Sequence, residues 1–93
     1  MKLRYTARAR EDLELAFMWY ENQRYGLGFE FLDCVEAAIE TISRMPELYA
    51  RHHADFRRTL VRRFPFSIFY TLEKEGIVVH AVFDNRQDPA RVP

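Results

Sequence analysis

Very little in these 93 residues breaks the chain or cross-links it. There is one cysteine, with three glycines and four prolines. A lone Cys34 excludes an intramolecular disulfide, and its setting in "FLDCVEAAIETI" suits a small apolar core residue. Three glycines, two of them in "GLG", do not make a phosphate loop. Net charge is also missing: fourteen basic residues cancel fourteen acidic ones, which argues against a general nucleic-acid binder. The start "MKLRYTARAR" has no apolar signal core, and no apolar run approaches membrane-spanning length. The expectation is a cytoplasmic protein without a membrane partner.

What is present is a core. Hydrophobic residues make up 48% and aromatics 15%, enough to exclude disorder. The length allows one domain over residues 1–93. A chain this short buries only roughly 60–65% of its unfolded surface, so a partner that binds the folded form would stabilise it. Charge is uneven along the chain: residues 1–50 carry six basic and nine acidic side chains, and residues 51–93 carry eight and five.

Lys2 to Thr6 reads as a first strand, with Thr6 able to cap the helix that follows. Ala9, Leu13, Ala16, Phe17 and Tyr20 share one helical face, and Glu11 and Asp12 suit the positive end of its dipole. This helix should reach about Gln23 and turn at "RYGLG". A second helix over Phe29–Arg44 has the stripe Leu32, Val35, Ile39 and Ile42, and Pro46 stops it. The short link makes an antiparallel helical hairpin.

After "ELYARHHAD", read as a linker, the period changes to two. Strands are expected over Phe56–Phe64, Phe66–Glu73 and Ile77–Asp84, with Pro65 and "EKEG" between them. Alternation groups Phe66, Ile68, Tyr70 and Leu72, and separately Ile77, Val79, Ala81 and Phe83, on a greasy face. The predicted fold class is α+β: an N-terminal strand, the helical hairpin, then a three-stranded antiparallel meander. The helices lie on one face of a single antiparallel sheet. The other face is left open, with Ser67, Phe69, Thr71, His80, Val82 and Asp84 upon it.

Candidate chemistry is sparse. His52 and His53 are adjacent, and no cysteine or carboxylate stands at a ligand spacing from them, so no metal site is expected. No paired-carboxylate site stands out, and nothing calls for a cofactor. His80 on the open face is a possible general acid or base. The arginines are the stronger signal. Arg57, Arg58, Arg62 and Arg63 fall on one predicted strand, Arg51 precedes it, and Arg86 and Arg91 follow the last strand. They are either a charged edge that blocks edge pairing or forks for a partner's phosphates or carboxylates. Trp19, off the first helix's stripe beside Leu15 and Met18, is either a second packing contact or a partner anchor.

The order of "WYENQRYGLG", "RRFPFSIFY" and "AVFDNRQDP", within a likeness spanning residues 2–89, resembles the RelE/ParE superfamily of type II toxin–antitoxin toxins. The resemblance implies a bacterial toxin held inactive by a cognate antitoxin in a hetero-oligomer, with the fold just derived. One branch cleaves mRNA on the ribosome without metal, using basic residues and often a tyrosine; the other acts on DNA gyrase. This chain has Ser67 where nuclease members tend to carry arginine, and its tail "ARVP" has no aromatic. Arg86 alone matches a basic position. The ParE-like branch, with gyrase as target, is therefore favoured. The alternatives are a nuclease drawing on Arg62, His80 and Arg86, with Tyr70 a second proton source, and an inactive antitoxin-binding module.

Overall fold

The computed structural model describes residues 2–93. Strand β1 (Lys2–Tyr5) leads into helices α1 (Ala7–Gln23) and α2 (Leu27–Arg44). Strands β2 (Arg51–His53), β3 (Phe56–Leu60), β4 (Phe66–Glu73) and β5 (Gly76–Asp84) follow, and a 3-10 turn spans Pro89–Arg91. The five strands form one sheet in the order β1-β5-β4-β3-β2.

The α+β reading and the element order hold, with four revisions. The sheet is mixed rather than antiparallel, because β1 lies parallel to β5, pairing Lys2 with Gly76 through Tyr5 with Val79. The connection from β1 to β5 runs through the helical hairpin and three strands, so no tight turn forces those two antiparallel. The segment read as a linker contains β2, whose Arg51 pairs with Arg57 and His53 with Phe56. β3 stops at Leu60, not Phe64. Arg62–Pro65 form the hairpin loop, closed by Val61 N–H donating to Phe66 O at 2.9 Å, with Arg63 at a left-handed φ of 70°. Finally, Phe69 pairs with Ala81 but Tyr70 with Val79, so His80 is an extra residue, a β-bulge.

That bulge reverses the alternation. Ile77, Val79 and Val82 join the cluster under the helices, whereas Ala81 and Phe83 sit with Phe69 on the far side. The greasy set expected on β5 is therefore split at His80. On β4 the expected Phe66, Ile68 and Tyr70 do face the helices.

Thr6 caps α1 as expected, its hydroxyl accepting from Ala9 N–H at 3.1 Å and donating to His80 O at 3.0 Å. Glu11 and Asp12 lie beyond the first turn of α1, which holds no acid, so the expected dipole role falls away; the Asp12 carboxylate instead accepts from Val82 N–H at 3.0 Å. Beyond the end of β1, side chains of α1 thus take over part of β5's outer edge. α2 begins two residues before the expected Phe29, because Glu21 accepts from the N–H groups of Gly26 and Gly28 at 2.9 and 2.8 Å. Gly26 adopts φ 87°, and a Cβ on Gly28 would lie 2.7 Å from Phe17 O, so this turn needs both glycines. Tyr20 and Phe31 fill the layer between helices and sheet against Phe64 and Phe66.

Candidate functional site

The face opposite the helices, expected to lie open, is largely dry. Ser67 is fully buried, Phe69 is 1% exposed and Thr71 is buried. Val82 belongs to the helix side instead. No helix covers Phe69; side chains do. The Arg58 guanidinium carbon lies 5.7 Å from its ring centre, and the rings of His52 and Phe83 lie at 5.5 and 6.2 Å. Phe56 and Val92 pack against the same cluster of Phe69, Ala81 and Phe83. The end of the 3-10 turn is drawn in by Arg8, which donates to Arg91 O.

Arg58 Nε donates to Ser67 Oγ at 2.8 Å, and Ser67 Oγ donates to Asn85 Oδ1 at 2.7 Å. Position 67 is thus filled by a small, satisfied hydroxyl. His80 makes a 2.9 Å hydrogen bond with Thr71 Oγ1, and its ring meets Phe56 edge-on at 5.0 Å. Burial holds it below the ordinary imidazole range, against an opposing pull from Glu73 and with a lesser push from the charge of Arg4. Tyr70 is fully buried with its hydroxyl donating to Pro46 O at 2.9 Å; burial raises its pKa.

Arg86 is held elsewhere. Its Nε and Nη2 grip Asp84 at 2.9 and 2.8 Å, and its guanidinium carbon lies 5.6 Å from the Trp19 ring centre. That fork holds the Asp84 carboxyl below its usual range. Arg62 is exposed in the β3–β4 loop. Arg62, His80 and Arg86 therefore lie in three different settings. The four arginines expected on one strand also divide. Arg57 and Arg58 are on β3, with Arg57 Nη1 donating to Tyr49 O at 2.6 Å. Arg63 instead pairs with Glu30 at 3.0 Å.

Trp19 is half exposed, packed edge-on against Tyr20 and roofed by Arg86. With Leu15, 59% exposed, it forms the outer wall of a groove of about 960 Å3. The opposite wall is the end of β5 and the residues after it, including Phe83 and Val92. Sequence reasoning noticed Trp19 but missed this groove. The signal available was that α1 carries apolar residues on two sides, one more than its own sheet can cover.

Among the described residues no group of three or more His, Cys, Asp and Glu is placed to hold a metal, and no helix is long and apolar enough to cross a membrane.

No curated protein matches the chain. A solved structure of the chromosomal ParDE TA system from P. aeruginosa contains a similar chain, with a TM-score of 0.68 and 19% identity. The likeness covers 90% of this chain and 95% of that one, and speaks for a shared fold. A family model described as the ParE toxin of type II toxin–antitoxin system, parDE, matches residues 3–89. With that match over nearly the whole length, this protein belongs to the ParE family of type II toxin–antitoxin toxins.

Proposed function

We propose that this chain arrests growth by acting on DNA gyrase, in the cytoplasm, and is neutralised by a cognate antitoxin in a hetero-oligomer. One observation carries the choice of target. Metal-free RNA cleavage needs a group to activate the 2′-hydroxyl, a cation on the phosphorane and an acid for the leaving oxygen, all within reach of one phosphate. Here Arg86 is clamped by Asp84 and Trp19, His80 is tied to Thr71, Tyr70 is sealed in the core and Ser67 is a buried, uncharged hydroxyl. A gyrase-directed toxin needs no such cluster, only a stable surface.

The groove along α1 is our proposed seat for the antitoxin. A disordered segment that folds onto a partner gains most from apolar anchors, and Leu15 and Trp19 present such a wall. Arg86 at its rim supports a partner with carboxylates nearby.

The test is a supercoiling and DNA-cleavage assay with purified gyrase, run beside a translating extract carrying labelled mRNA. Loss of supercoiling or trapping of cleaved DNA, with intact mRNA, is the expected result. Untouched gyrase with cut mRNA would overturn the reading.

A further inference from the structure

On the face away from the helices, β3 presents an apolar side chain beside a cation that nothing neutralises. Register puts Leu60 opposite Ser67 and Arg58 opposite Phe69, so these four side chains share that face. Ser67 and Phe69 are buried, yet Leu60 is 63% exposed. Among the described residues the ion pairs are Arg8–Asp12, Arg24–Glu30, Arg63–Glu30 and Arg86–Asp84, and Arg58 is in none of them. Arg57 turns to the helix side, opposite Tyr70, and donates to Tyr49 O. This face of β3 therefore carries a single guanidinium and not a row of them.

The setting of that guanidinium is fixed from beneath. The fully buried Ser67 hydroxyl accepts from Arg58 Nε at 2.8 Å and donates to Asn85 Oδ1 at 2.7 Å. Arg58 Nη2 reaches the same amide oxygen only at 3.4 Å. Both acceptors are neutral, so they orient the guanidinium and leave its charge in place. Among the described residues nothing accepts from Arg58 Nη1 or from the Asn85 NH2 group. Two sets of N–H donors, one of them charged, are thus held around Ser67, with the exposed Leu60 across from it.

We propose that this face, through Arg58, Asn85 and Leu60, receives an acidic segment of the toxin's protein target, an assignment that rests on the protein target of the proposed function. The segment carries a carboxylate next to an apolar side chain. A carboxylate has two oxygens to share between the guanidinium and the amide, and Leu60 offers an apolar contact to the side chain beside it. Nucleic acid is the competing occupant. It gains from several cations spaced along one face, and here there is one, with a leucine as its neighbour. The groove along α1 is a separate place. β4 lies between β3 and the β5 wall of that groove, and none of Arg58, Leu60 and Asn85 lines it.

Two measurements test this. The first needs no gyrase: isotope-labelled protein is titrated by NMR with N-acetyl-leucine, which joins a carboxylate to a branched apolar side chain. The resonances of the Asn85 side-chain amide and of Arg58 Nε–H should shift, and the neutral N-acetylleucinamide should not move them. Absent shifts, or equal shifts with both compounds, overturn the site. Stronger shifts with a short duplex DNA at equal concentration give the face to nucleic acid and overturn it too. The second measurement compares inhibition of gyrase supercoiling by the parent, Asn85→Asp and Leu60→Thr. Asn85→Asp keeps an oxygen for Ser67 but sets a carboxylate against Arg58, so the fold should hold by circular dichroism. Inhibition should then weaken about ten-fold, the loss of one charged hydrogen-bonding site. Leu60→Thr, at an exposed strand position, should weaken it roughly three-fold. Full inhibition by both variants overturns the proposal and leaves the gyrase reading standing. No inhibition by the parent removes the gyrase reading instead, and the face then stands or falls on the titration.

Discussion

On the helix side of the sheet, Phe31 is fully buried among Tyr20, Phe64 and Phe66, with ring centres 4.9–5.3 Å away. On the other side, Phe69 is 1% exposed with no helix above it, only Arg58, His52, Phe83 and a strip of backbone ending at Val92. The burial is nearly the same and the construction is not. One face is shielded by two helices that cannot leave without global unfolding; the other is roofed by individual side chains that can swing away. Equal dryness therefore does not mean equal resistance, and the thin side is where small changes should be felt locally.

The largest expected effect breaks the thick side. Phe31→Ala removes the ring on which Tyr20, Phe64 and Phe66 converge, leaving a cavity that two helices and a sheet cannot close. It should cost roughly 3–5 kcal/mol, read from the denaturant midpoint at constant m-value. A loss under about 1.5 kcal/mol would mean that this layer collapses as easily as a surface site, and the contrast between the faces would be lost.

A smaller effect tests the roof. Arg58→Ala uncovers Phe69 and removes the bond to Ser67, while the Ser67 hydroxyl keeps Asn85 as an acceptor. The expected loss is about 1–2 kcal/mol, from one hydrogen bond and one cation–ring contact. Hydrogen exchange should quicken in β3 and β4 more than in the helices. Arg58→Met, which keeps an apolar stem over the ring, should recover part of the loss. If Arg58→Ala stays within about 0.5 kcal/mol of the parent, Arg58 is an ordinary surface residue and not a cover.

The helical part of the thick side was largely legible in the sequence, although the buried Phe31 fell outside the expected stripe; the thin side was not legible. Ala9, Tyr20, Val35, Ile39 and Ile42 follow from helical spacing, and Thr6 announces its own cap. The bulge at His80 defeats strict alternation: no glycine or proline marks it, and Val82 and Phe83 change sides with nothing in the local pattern to show it. β2 is three residues of Arg and His without β-branched character, held by pairing to β3 rather than by its own preference. The roof over Phe69 depends on Val92 and Arg58, far apart in the chain, meeting on one surface. For the candidate site, the sequence points to Arg57, Arg58 and Trp19 as residues but not to where the fold puts them. Arg62 and Arg63 lie in the loop that follows β3, where Arg63 turns to Glu30, and Arg86 turns towards Asp84.

The smallest expected effect concerns His80, which lies half-buried in the thin face between Thr71 and Phe56. Its pKa in the folded chain is depressed below 6.5, mainly by burial and further by Arg4, while Glu73 pulls the other way. Between the folded and unfolded values the unfolded chain binds more protons, so stability rises with pH across that window. The stability that neutral His80 allows is present above about 6.5 and is lost as pH falls through the folded value. His80→Gln removes this titration while keeping a side chain able to bond Thr71. Urea midpoints measured from pH 7 down to mildly acid values should therefore fall less steeply in the variant than in the parent. His52, His53 and the carboxylates are common to both chains, so they cancel in the difference. Equal slopes would mean that water already reaches His80 in the folded state, and that the roof on this side of the sheet is looser than the buried Phe69 implies.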